Sequence, residues 1–369
     1  QSLWRDEAFS YLLAKKNIFE ELKKRNLEKV YYDIELPILP LLKRASERGI
    51  IVDVDYLKKL SQKYHEQLEK LQQKIWKEAG ERFNINSSQQ LSVVLFDHLG
   101  LSVKGLRKTE GGARSTRESE LLKLEGAHPV IEHILRFREL QKLLSTYIDN
   151  IPQMVGKDGR LHSIFVQTGT TTGRISSKDP NMQNIPAHGG YGDEIRKAFR
   201  AEKGFELVAL DYSQIELRVL ALLSKDKTLT RILQEGADVH AAVASHVFSV
   251  PLDAVTKDMR QKAKVINFGI IYGMGIVSLQ RALKSTREEA QIFYNDYFKK
   301  FPGVAEYIEH IKRETAERGY TETFFGRRRY IEGIHSNIEY VRSAAERMAV
   351  NAPIQGTATG DIIKLAISR

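Results

Sequence analysis

"VALDYSQIELRVLA", residues 208–221, ends an apolar run on Asp211 and then carries Glu216 into a second, otherwise apolar pattern. With the three residues before it, "FELVALD" (205–211) reads as a buried strand, and the segment from Gln214 onward reads as a helix. A carboxylate in either setting costs free energy unless something pairs with it. Asp211 has two readings: a strand-end aspartate facing the dipole of the next helix, or a hard oxygen ligand for Mg²⁺, an ion usually held by one or two carboxylates plus substrate phosphates. Ser213 and Glu216 fit S-x-x-E, so Glu216 also reads as a capping-box residue.

The surrounding chain has 369 residues with 42% hydrophobic content, enough for a buried core in two or three folding units. No apolar run reaches the roughly 20 residues of a membrane helix, and the first residues are too charged for a secretory signal. The sequence begins without methionine and in mid-pattern, and is read as a fragment of a longer protein. Cysteine is absent, which excludes disulfides, thiolate metal sites and cysteine nucleophiles. A formal net charge of +10 fits polyanion binding as well as a solvated surface, so the clustering of the cations has to decide.

Residues 31–53 read as a helix entered through Pro37 and Pro40 and stopped at Gly49, and Tyr56 to Ala79 as a long amphipathic helix. Asn86, Ser87 and Ser88 are cap candidates for the next helix, residues 104–120 form a polar mobile loop or a phosphate-contacting one, and Pro129 to Tyr147 is again helical. Strands are predicted within 159–177, helices from Gln214 to Gly319 with a capping box at Thr286 and Glu289, a hairpin turning near Gly326, and a final helix from Ile338.

Within "DMRQKAKVINFGIIYG" (258–273), Arg260, Lys264, Phe268 and Tyr272 recur every four residues, a stripe about 18 Å long at 1.5 Å per residue. Two cations followed by two aromatics suit a nucleoside triphosphate, with charge on the phosphates and a ring on the base. The competing reading is a basic surface turn leading into core aromatics. No P-loop and no G-x-G-x-x-G after a strand is present. Asp33 and Glu35 in "YDIEL" (32–36) read as surface helix entry rather than a nuclease pair, and "RRR" (327–329) crowds three cations that repel unless an anion faces them.

"DYSQIELR" (211–218), "RQKAKVINFGIIYG" (260–273), "TGRISSKDPNMQNIP" (172–186), "FFGRRRY" (324–330) and "ERMAVNAPIQGTATGDIIKLA" (346–366) together closely resemble the family A DNA polymerases of the bacterial DNA polymerase I type. The resemblance runs from about residue 30 to the end of the chain. It implies an α/β (α+β) right-hand polymerase: a tail of an exonuclease-type domain (1–29), a helical thumb (30–150), an antiparallel-sheet palm (151–235 and, incomplete, 336–369) and helical fingers (236–335). It implies DNA replication and repair by a monomer in a bacterial or phage cytoplasm, associated with the nucleoid, with primer-template DNA and deoxynucleoside triphosphates as partners and no membrane. Asp211 resembles the first metal-binding aspartate, with the Tyr212 carbonyl as a further ligand for Mg²⁺, two ions in the complete site. Gln214, Glu216, His240, Arg260, Lys264, Phe268 and Tyr272 resemble the nucleotide-binding set. In that set Glu216 is the steric gate against a ribose 2′-OH, His240 a phosphate contact, and Phe268 the position linked to rejecting sugars without a 3′-OH. Arg174 and Gln355 resemble minor-groove readers at the primer terminus, and Gln183, Asn184, Arg329, Arg347 and Asn351 are further DNA-contact candidates.

The resemblance also implies a His-Asp-Glu motif, carrying the second metal ligand, a short way beyond Lys364; the 369 residues contain no such triplet. A non-catalytic primer-template binding fragment therefore stays open as an alternative. A single-subunit RNA polymerase shares the general plan, but Glu216 argues against it, because that enzyme must admit a 2′-OH.

Overall fold

The computed structural model describes residues 15–102, 106, 108–109, 111–186, 190–236 and 238–369. Two compact units share the chain: one comprises residues up to Arg44, Phe165–Ser176 and Ala209–Arg369, the other Ala45–Ile164 and Ser177–Val208.

The second unit is built on the Val54–Ala79 helix, begun by Asp53, whose side chain accepts from the Tyr56 amide, and ended at Gly80 with φ 77°. Leu57, Leu60, Tyr64, Leu68 and Ile75 recur at helical spacing and are buried. They share a core with Val130, Ile131, Ile134, Phe137 and Leu140 of the Pro129–Leu143 helix. Ser87 caps the Ser88–Val93 helix, as its position suggests. Arg114 ties the polar loop down, donating to the Phe96 carbonyl at 3.0 Å and pairing with Asp97 at 3.6 Å. Residues 103–105, 107 and 110 of that loop lie outside the described residues. A short antiparallel sheet, with Ile50–Val52 between Arg160–Leu161 and Phe199–Arg200, pairs Ile51 with both Arg160 and Arg200.

The first unit is mainly helical. The helices Ile215–Ser224, Val239–Phe248, Lys257–Ile271, Arg287–Lys300, Pro302–Arg318 and Glu339–Gln355 bury Leu220, Val243, Ile266, Tyr297, Val304 and Ala345 in one core. The predicted capping box at Thr286 and Glu289 is present. Asp226 accepts from the Leu229 amide and from the Gly303 amide, both at 2.9 Å, and so fixes the start of two helices. A Cβ on Gly303 would lie 2.9 Å from the Asp226 Cα, which is why glycine stands there. The Tyr320–Glu322 and Arg328–Tyr330 strands form the hairpin around Gly326, φ 88°.

The strand expected at 205–211 is not formed. Leu207, Val208 and Leu210 are exposed and Asp211 lies in irregular backbone. A strand exists only through its neighbour's hydrogen bonds, and among the described residues none runs beside this segment. No described helix is long and apolar enough to cross a membrane.

Candidate active site

The Lys257–Ile271 helix starts at Thr256, whose hydroxyl accepts from the Met259 amide at 3.2 Å. Ala263, Ile266, Asn267 and Ile270 are buried on one side, while Arg260, Lys264 and Tyr272 are exposed and Phe268 is half-buried. The stripe is thus an accessible face. Arg260 donates through Nε to Asp238 Oδ2 at 2.6 Å. Burial works to raise the Asp238 pKa, but Arg260 and the Ala241 and His240 amides together bring it below the usual carboxylate value. Lys264 has no carboxylate partner among the described residues.

Glu216 finds its partners at this face. Its side chain is 10% exposed; Oε1 accepts from Arg174 Nη2 at 3.1 Å and Oε2 from the Tyr272 hydroxyl at 3.1 Å. The expected capping role is not realised: Gln214, with φ 54°, is the N-cap of the Ile215–Ser224 helix and no side chain caps it. Glu216 is instead committed to two side-chain donors, one of them a guanidinium. The Tyr272 pKa is raised, by burial first and then by the Glu216 charge, so the phenol keeps the proton it donates. Asp211 and Tyr212 stand exposed just before this helix, and Asp211 has no ion pair or hydrogen bond among the described residues.

Around the pair, Arg174 Nε donates to Thr359 Oγ1 at 2.5 Å, and Thr359 in turn donates to the Gln355 carbonyl at 2.9 Å. Arg347, Asn351 and Gln355 recur every four residues along the Glu339–Gln355 helix. Asn351 Nδ2 lies 3.5 Å from the Ile271 carbonyl. Gly273, φ 64°, touches Arg347 so closely that a Cβ would lie 2.8 Å from its Cγ. Arg174, Glu216, Tyr272, Arg347, Asn351 and Gln355 thus cluster at the end of one helix. Gln183 and Asn184 belong to the other unit, in the Met182–Asn184 turn.

His240 is 5% exposed, and Asn267 Nδ2 meets its Nδ1 at 3.1 Å. Sequence reading missed Asn267, Asp238 and Thr359; only Asp238, in a cap position before a helix, carries a local signal. Burial lowers the pKa of His240, and likewise that of His246, below the usual 6.5. Both stay neutral in the folded state after the unfolded chain has begun to bind protons. Their contribution to stability is full above about pH 6.5 and lost as pH falls through the depressed values; His162, raised first by its bond to the Ser46 carbonyl, acts in the opposite sense. Thermal midpoints followed from about pH 7.5 to 5 should therefore fall less for His240→Gln than for the parent. Parallel curves would show that His240 is not held neutral.

The arginine run resolves into three settings. Arg327 is paired with Asp361 at 2.7 Å and with Glu35, Arg328 with Glu322 at 2.7 Å over the Tyr320 ring, and Arg329 with no carboxylate among the described residues. Burial lowers the Arg329 pKa, as expected for a cation left without an anion. Glu35 is therefore not surface helix entry; it is 21% exposed and also accepts from Lys364 at 2.7 Å and Gln167 at 2.6 Å.

Among the described residues no group of three or more His, Asp or Glu side chains converges on a metal position. Asp211 still suits a hard cation in part. Its carboxylate is exposed and unpartnered, and an ion there would draw its remaining ligands from carbonyl, water and phosphate oxygens.

The family model for DNA polymerase family A matches residues 54–369. The chain is 48% identical over 99% of its length to the thermostable DNA polymerase I of Thermus aquaticus, covering 44% of that protein. It is 44% identical over 93% of its length to DNA polymerase I of Pseudomonas aeruginosa, covering 37% of that protein. It spans less than half the length of these curated relatives. The POL domain of Pol1 from M. smegmatis, solved in complex with DNA primer-template and dNTP, superposes with a TM-score of 0.87 at 38% identity, covering 95% of this chain and 61% of that one. The mixed helical fold with small antiparallel sheets is thus that of a polymerase domain, and the chain belongs to DNA polymerase family A.

Proposed function

We propose that this chain forms the polymerase part of an enzyme that adds deoxynucleoside triphosphates to a primer 3′-OH under direction of a template. The observation that carries the reading is the bonding of Glu216 to Tyr272 and Arg174 at one end of the exposed Arg260–Lys264–Phe268–Tyr272 face. That arrangement puts cations for a triphosphate, an aromatic surface for its base and a wall for its sugar along one helix. Arg260 and Lys264 neutralise the phosphates, His240 adds a phosphate contact, and Phe268 and Tyr272 flank the sugar and base. Arg174, Arg347, Asn351 and Gln355, with Arg329, Gln183 and Asn184, contact primer and template. The thumb, palm and fingers divisions given above are the corresponding assignment of segments. Supporting it, the POL domain of M. smegmatis Pol1 was solved with primer-template and dNTP.

The reaction course we propose for the complete site is two-metal phosphoryl transfer, with Asp211 and the Tyr212 carbonyl as ligands in this chain. Magnesium held there by Asp211 and the Tyr212 carbonyl would supply activation of the primer 3′-OH and neutralisation of the leaving pyrophosphate. The protein's own part is positioning: it holds the triphosphate in line with the primer and excludes misplaced sugars.

Glu216→Ala tests the reading. Removing a wall against one hydroxyl should raise the ribonucleotide-to-deoxynucleotide incorporation ratio by roughly 10–200-fold, the range of a single small-group discrimination. An unchanged ratio in single-nucleotide primer extension means that Glu216 is not the gate.

A further inference from the structure

Beside the turn that joins the Ile215–Ser224 and Lys227–Gln234 helices lies an open concavity of about 770 Å³, far from enclosed, lined by Arg218, Lys225, Lys227 and Arg231 together with the apolar Ala221, Leu222 and Leu233. All four cations are exposed, and none has a carboxylate partner among the described residues. Arg218 alone is tied, through Nε to the Ser213 carbonyl at 3.0 Å. Asp226, between Lys225 and Lys227 in sequence, is 2% exposed and turned inward onto the Leu229 and Gly303 amides, so it does not balance them.

The placement of Lys227 runs against local preference. Lys227 is the first residue of its helix, at the positive end of the dipole, where a cation is unfavourable. Arg231 follows four residues later on the same face, in the last turn where the dipole favours a cation, but like charges at that spacing repel. Lys225 holds φ 51°, a left-handed conformation that glycine adopts without steric cost. An anion in the concavity would attract both Lys227 and Arg231 and offset the first two penalties.

We propose that this concavity binds a single-stranded nucleic-acid segment, with the four cations on successive phosphates and bases lying over Leu222, which is 52% exposed. The concavity is open and carries four cations in its lining, more charge than a single phosphate group needs, which suits a chain of phosphates better. The apolar part of the lining suits unpaired bases better than a duplex exterior. No aromatic ring lines it, so binding is independent of sequence and dominated by phosphate contacts. The site goes beyond the nucleotide-addition role and does not depend on it.

Because the chain has no cysteine, Gln234→Cys at the rim accepts a single environment-sensitive dye. A short oligothymidylate should change its emission saturably, with log K falling against log salt at a slope near about −2.8 for four contacts to a single strand. Lys227→Gln with Arg231→Gln should reduce the slope to about −1.4 and weaken binding at least roughly tenfold at low salt. Lys225→Gly should lower the slope by about 0.7 with the thermal midpoint unchanged or raised, which separates charge from folding. The proposal is overturned by a silent dye, by charge variants that leave slope and affinity unchanged, or by tripolyphosphate binding as tightly as the oligonucleotide.

Discussion

Asp211→Ala is expected to lower nucleotide addition to a primer by roughly 10³-fold or more, the several kcal/mol that charge stabilisation by a bound metal supplies, while leaving the fold and primer-template affinity intact. The asymmetry follows from where Asp211 sits. It is exposed, has no hydrogen bond or ion pair among the described residues, and caps no helix, so its removal leaves nothing unpaired. A carboxylate with no structural partner immediately before the helix that carries Glu216 is free to act as a ligand. The measurement is single-turnover extension by a catalytically competent polypeptide that contains these residues, with mobility-shift binding and a melting curve as controls. Extension within about tenfold of the parent would remove Asp211 from the chemistry.

The opposite asymmetry holds at Asp361. This carboxylate is fully buried, accepts from Arg327 Nε at 2.7 Å and Thr323 Oγ1 at 2.6 Å, and shares its surroundings with Glu35 and Lys364. Burial pushes the Asp361 carboxyl up and the Lys364 ammonium down; burial also works against Arg327, but Asp361 and Glu35 outweigh it and raise that group. Two cations thus rely on two carboxylates in a poorly hydrated setting. Asp361→Ala leaves both cations with Glu35 alone and strips Thr323 of its acceptor, so it should destabilise the fold by about 3–5 kcal/mol. Asp361→Asn, which keeps a side-chain oxygen for Thr323, should cost less. Denaturant unfolding followed by circular dichroism reads both, and a loss under about 1 kcal/mol for the alanine variant would mean that the network is solvated.

What was legible in the sequence was local or periodic. The Val54–Ala79 helix follows from its apolar repeat, the Thr286 and Glu289 box from spacing, and the hairpin from Gly326 between polar strands. The accessible stripe from Arg260 to Tyr272 could be placed on one helix face, but not on the outside rather than the core. What was not legible depended on distant partners. Glu216 is held by residues 42 and 56 positions away, and Glu35 by an arginine 292 positions away, so S-x-x-E suggested a cap and "YDIEL" a surface helix entry. The failed strand at 205–211 has the same cause: its composition is right, but pairing is a property of two segments. Asn267, on the buried face of its helix, carried no signal until His240 stood beside it.

The most direct test of the polymerase reading is whether the templating base selects the nucleotide. On dideoxy-terminated primer-templates that differ only in that base, the complementary deoxynucleoside triphosphate should raise the survival of the protein–DNA complex against a competitor challenge by about tenfold or more over the other three, and Arg260→Ala with Lys264→Ala should abolish the gain. Equal stabilisation by all four nucleotides, or by none, would contradict template-directed selection by this chain.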